Sequence, residues 1–244
     1  MKTIVRLVGM AGVFILTSCS VLSLIAEPPR QVTHPQPEFS VPWSARFTAG
    51  CRQNEYGTWM CPPESPPGQL GCSRIYPADD ALGGLSPALP MAVCMPEPES
   101  AAELRRGDYF YNTGCTLPLV VWYLVEQDGE LMVLRTPAAF QQVFAPVESA
   151  AEALSYAAAV SGRYPVYQFD LTRGWRYFVK RIETSHVTEI PEGYSVRLFD
   201  YQFCGCGPHA TYAFDVTVTT AGDFSEGEPI KLFENPAEDD LCVD

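Results

Sequence analysis

Residues 209–219 read HATYAFDVTVT. Tyr212, Phe214, Val216 and Val218 alternate there with Ala213, Asp215, Thr217 and Thr219, the period of two expected of a strand with one buried and one solvated face. Upstream, Tyr194 to Phe203 reads as a second strand, separated from the first by a cysteine-glycine loop. Before it, Ile182 to Ile190 leads into a turn at Pro191-Glu192-Gly193, and downstream Ala221-Gly222-Asp223 turns the chain towards Ile230 to Phe233. Strands joined by short turns of this kind form an antiparallel meander.

Helical signals precede the meander. Ser149-Ala150-Ala151-Glu152 has the capping-box spacing and Gly162 is a stop, so a helix is expected over 149–161. Leu154, Ala157, Ala158 and Val160 give it a small-residue face suited to packing on a sheet. Pro137 to Phe144 reads as a short helix. Val120 to Val125 and Leu131 to Leu134 are strands around a turn at Gln127-Asp128-Gly129-Glu130. The expected fold class is therefore α+β: an antiparallel β-meander packed against one or two helices, with the helices on one sheet face. The order of elements resembles a cystatin-type roll, without any shared motif, and no internal repeat is visible.

The N-terminal part has a different composition. Residues 20–100 hold 14 of the 22 prolines, and proline interrupts helices and sheet ladders alike. Residues 19–45 are expected to form a proline-rich tether, 46–100 a Cys/Pro-rich loop region stapled by disulfides, and 101–244 the α+β domain.

The chain starts with Lys2 and Arg6, an apolar stretch from Leu7 to Leu16, and small residues before Cys19. That is the layout of a secretory signal, and the stretch is too short to span a bilayer. Leu16-Thr17-Ser18-Cys19 resembles the lipobox of bacterial lipoproteins. The resemblance implies diacylglycerol on Cys19, cleavage before it and usually N-acylation, so that residues 1–18 are removed and two or more acyl chains anchor the product stably. Ser20, rather than Asp, points to the outer membrane if the cell has one. The expected location is the cell envelope, on the extracytoplasmic side of the membrane.

Losing Lys2 and Arg6 with the signal leaves 14 basic against 29 acidic residues, a balance of −15. Such a chain has no general attraction for nucleic acid or anionic lipid, and neither is expected as a partner. Setting Cys19 aside leaves Cys51, Cys61, Cys72, Cys94, Cys115, Cys204, Cys206 and Cys242. Eight cysteines in an exported chain read as four disulfides, whose pairing the sequence leaves open.

Chemistry has few footholds. Cys204-Gly205-Cys206-Gly207-Pro208-His209 gathers two thiols and an imidazole, a set that suits zinc or copper. A fourth ligand is lacking, since the other histidines are His34 and His186, and export favours oxidised thiols. A disulfide-stapled hairpin is the preferred reading, with no metal or other cofactor. No Gly-x-Ser-x-Gly or His-Glu-x-x-His motif occurs. His186 and His209 read as ordinary sheet residues. Asp200, Asp215, Glu189 and Glu192 lie on or near strands, where two acids facing each other could act as a hydrolytic pair. Asp79-Asp80 and Asp239-Asp240 read as solvated turns rather than calcium loops. Arg173, Arg176, Lys180 and Arg181 are interleaved with Trp175, Tyr177 and Phe178, which fits either an anionic glycan or a strand with a charged outer side. Three readings follow: a non-enzymatic binding module for an envelope protein or glycan, a hydrolase using paired carboxylates, or a metal-binding protein built on Cys204, Cys206 and His209.

Overall fold

The helix expected after Ser149 runs Ala150–Ser161 in the computed structural model, which describes residues 27–116 and 119–243. The expected signal and Cys19 lie outside the described residues. Both halves of the capping box are formed: Glu152 N–H donates to Ser149 Oγ, and Ser149 N–H donates to the Glu152 carboxylate, each at 3.2 Å. Gly162 ends the helix in the left-handed conformation at φ 71°. All eight residues from Ala153 to Val160 are buried. Eight consecutive buried positions exceed two helical turns, so this helix has no solvated side.

What encloses it is a pair of sheets. The first joins Arg52–Gln53, Trp59–Met60, Arg74–Pro77, Met91–Met95, Trp122–Gln127 and Glu130–Leu134, antiparallel and in chain order. The second has the order Arg176–Tyr177, Ile230–Glu234, Ala210–Thr219, Gly193–Gln202, Val187–Ile190, with Phe224–Glu226 also paired to Ala210–Thr219. One core unites Met91, Tyr123 and Val125 of the first sheet, Val196, Leu198, Phe214 and Val216 of the second, and the helices between them. The protein is thus α+β and mostly sheet. Both helices lie on the main-core face of the meander, as expected, and the first sheet covers their other side.

Period two explains how each sheet also covers its outer face. In the first sheet Val121, Tyr123 and Val125 point into the main core, while Trp122 and Leu124 join Phe47, Ile75, Cys72 and Cys94 in a second one. The run Val120 to Val125 is continuously apolar for that reason. In the second sheet Phe214, Val216 and Val218 face the main core, and Ala213 and Phe199 face a third cluster with Ile182, Leu232 and Phe233. The hairpin turn at Asp128-Gly129 has φ of 53° and 78°, the two positive values that a type I′ turn requires. Pro137–Phe144 is helical as read, with Thr136 as its cap.

Three expectations change. Residues 46–100 supply four strands of the first sheet rather than loops alone, so the division expected near residue 100 falls inside a sheet. Residues 30–45 are laid on the body: Arg30–Val32 pairs in parallel with Arg181–Glu183, and Phe39 and Val41 pack against the main core. Proline richness excludes ladder positions along most of this segment but leaves its side chains free to pack. Finally, Ile182 to Ile190 is two strands in different sheets, broken at Thr184-Ser185-His186. There Thr184 N–H donates to Val32 and Ser185 N–H to Val166 instead of to the meander.

Candidate functional site

The eight cysteines form four disulfides, Cys51–Cys61, Cys72–Cys94, Cys115–Cys204 and Cys206–Cys242. Cys204 and Cys206 therefore clamp two different segments to one loop rather than bonding to each other. Gly205-Cys206 pairs with Cys242-Val243 as a short ladder. Gly207 sits so close to this tail that a Cβ would lie 2.1 Å from the Glu238 carbonyl oxygen. His209 is buried, with Nδ1 3.0 Å from the Gln202 carbonyl and Nε2 3.1 Å from that of Leu241. The alternative of a metal on Cys204, Cys206 and His209 is thereby corrected: both sulfurs are bonded and both ring nitrogens face carbonyl oxygens.

Beside this loop lies a groove of about 970 Å³ between the second sheet, the segment 106–114 and the end of the central helix. Tyr109, Tyr111, Tyr201, Phe203 and Phe224 contribute rings to its walls. Phe203 is 43% exposed and Phe224 36%, so both present apolar surface to solvent. The turn at Gly162 delivers Arg163 to the floor, where its guanidinium bonds Asp200, lies 3.3 Å from Glu226 and covers the Phe214 ring at 4.0 Å. A side chain at Gly162 would strike the Tyr111 ring at 2.4 Å. Burial pushes the Tyr111 phenol up, and pushes Tyr123 behind it well above the ordinary range. Tyr123 donates to the Ala159 carbonyl at 3.0 Å. Tyr201 donates to Glu238 at 2.7 Å, and burial, then Glu238, raise its pKa to about 12. Tyr123 and Tyr201 are thus held as neutral, oriented donors.

The other acids named from sequence are not brought together. Opposite Asp200, Asp215 and Glu189 across the ladders stand Tyr212, Arg197 and Tyr194. Asp215 and Arg197 form a two-pronged pair at 2.6 and 2.8 Å. Glu192 lies in a turn. Asp79 caps a short 3-10 helix by accepting from Ala81 N–H, Asp80 starts that helix, and Asp239 bonds Arg176. The basic-aromatic stretch is likewise used internally. Trp175 and Tyr177 pack on Phe233 at 5.2 and 6.2 Å, Arg176 also reaches Glu234 at 3.0 Å, and Arg181 bonds Glu183 at 2.9 Å. Exposed Phe178 is covered by Lys231, 4.3 Å from its ring centre.

One constellation escaped the sequence reading. His34, Glu183 and His186 meet where Arg30–Val32 pairs with Arg181–Glu183, their candidate ligand atoms all within 4.8 Å of one another. The imidazoles stack with centres 4.3 Å apart. Among the described residues this is the one such group of three. Its only trace in the sequence is the scarcity of histidine, since nothing local ties residue 34 to residue 186. Comparison with family models, curated proteins and solved structures finds no match to this chain.

Proposed function

We propose that the protein is a lipid-anchored, exported binding module of the cell envelope. Cys19 carries the anchor, and the groove around Arg163 receives an envelope protein or glycan. The observation that carries this reading is the lining of the groove. Exposed rings rise from a floor where Arg163 holds Asp200 and Glu226, and such a mixture of apolar rings with few oriented polar groups is the composition of a binding site. Asp200 and Glu226 are joined through one guanidinium, so neither is placed as the free acid or base that a hydrolytic pair needs. The tightly stapled fold suits an oxidising exterior. The roll-like likeness concerns only the helix and meander, and it lends no function.

A photoreactive phenylalanine analogue at position 203 tests both parts in the producing cell, with position 56 as control. Tyr56 is 84% exposed on the hairpin of the first sheet, outside the groove. Membrane-bound protein with strong adducts at 203 and few at 56 is the expected result. Equal adducts at both positions would sink the groove as the contact surface. The Cys19→Ala chain should leave the membrane fraction or remain unprocessed, and an unchanged membrane-bound, lipid-labelled form would sink the anchor.

A further inference from the structure

The junction between the N-terminal segment and the body holds more chemistry than its short ladder needs. Val32 is in register with Glu183, and His34 N–H donates to Thr184 Oγ1 at 2.8 Å across 150 positions of sequence. His186 Nδ1 lies 2.8 Å from the Thr184 carbonyl. A carbonyl only accepts, so Nδ1 carries a proton, and in the neutral ring Nε2 keeps the lone pair a metal needs. This is the outer hydrogen bond that orients metal-bound imidazoles. Glu183 is held in the same manner: Arg181 donates to Oε1, leaving Oε2 turned towards His34 Nε2 at 3.8 Å. That distance is too long for a hydrogen bond, and His34 Nε2 is shut from solvent with no partner.

We infer that His34, Glu183 and His186 form a site for a zinc-class divalent metal ion, which clips the N-terminal segment to the body. Two imidazole nitrogens and one carboxylate oxygen make a three-ligand zinc set with one position left for water. Bonds of about 2.0–2.2 Å place tetrahedral ligands roughly 3.4 Å apart. Atoms already within 4.8 Å of one another reach that spacing by small side-chain rotations. Calcium and magnesium want many oxygen donors, and this cluster has one carboxylate between two imidazoles. All eight cysteines of the described domain are bonded, so no thiolate competes there for the metal. The site exists only when residues 30–34 lie against 181–186, so the ion ties the segment down as it binds. The inference stands apart from the groove and from the anchor.

Titration of the chelator-stripped full chain with zinc chloride tests it, with calorimetry and amide exchange as readouts. About one equivalent should bind in the micromolar range or tighter, while magnesium and calcium give no saturable heat. His34→Ala and His186→Ala should each weaken zinc by roughly tenfold or more. In the unsubstituted protein, zinc should slow exchange of the Arg30 and Thr184 amides, which donate to Lys180 and Val32 across the junction. That readout does not depend on how well the variants fold. Absence of saturable zinc binding, binding indifferent to both substitutions, or unchanged exchange at the junction would each overturn the inference.

Discussion

Ser155→Ala should be among the costlier single-atom deletions in this protein. Ser155 lies in the middle of the enclosed helix and is fully buried. Its hydroxyl donates to the Ala81 carbonyl at 2.6 Å and accepts from Gly84 N–H at 2.9 Å. These bonds lock the loop between two strands of the first sheet onto the helix. The approach is close: a Cβ on Gly84 would sit 2.5 Å from the Ala151 carbonyl oxygen and 2.7 Å from Ser155 Oγ. Alanine at 155 would leave one donor and one acceptor facing a methyl group. Each abandoned group costs about 1–3 kcal/mol where water cannot replace the partner. Alanine returns up to about 0.7 kcal/mol of helix propensity. A net loss of about 1–6 kcal/mol is expected, which lowers the melting temperature by roughly 3–24 °C for a chain of this size. Urea and thermal denaturation without reductant measure it. Ser161→Ala is the control, because that hydroxyl bonds only within its own helix end, to the Ala157 carbonyl and from Arg163 N–H, at a half-buried position where water replaces the lost partners. A Ser155→Ala loss no larger than the control's would refute the docking of the loop on the helix.

Two other outcomes follow from the structure. Peptide mapping of unreduced protein should recover the pairs 51–61, 72–94, 115–204 and 206–242; opening Cys115–Cys204, which spans 89 positions, should cost about 4–5 kcal/mol in reversible unfolding, and a 204–206 pair would contradict the fold. Tyr156, Tyr167 and Tyr201 are each raised from 10.0 to about 12, first by burial, so their contribution to stability should be complete below pH 10 and fall between pH 10 and about 12, where the unfolded chain ionises first. Urea midpoints across that range, with tyrosinate absorbance followed in parallel, check the sign, and phenols that all titrate near 10 would contradict it.

Some of this fold was written in short stretches of chain. Ser149 and Glu152 are three residues apart, Asp128 and Gly129 are adjacent, and the alternation in 212–219 needs no distant partner, so each could be read directly. The proline-rich part shows where that reading stops. Its residues contribute strands through Trp59, Ile75, Ala92 and Cys94, whose apolar side chains become a core only once Trp122 and Leu124 cover them. The even cysteine count required closed bonds, yet Cys204 and Cys206 chose Cys115 and Cys242 because the meander carries their loop past those two segments. Likewise the residue types alone give no reason to join His34 to His186. Capping, turn and alternation signals act over a few bonds, within reach of local sterics and hydrogen bonding. Which face meets which, and which thiols and imidazoles become neighbours, depends on contacts distant in the chain, 36 positions for Cys206–Cys242, 89 for Cys115–Cys204 and 150 for His34 to Thr184, and those are fixed only when both sheets close on the Ala150–Ser161 helix.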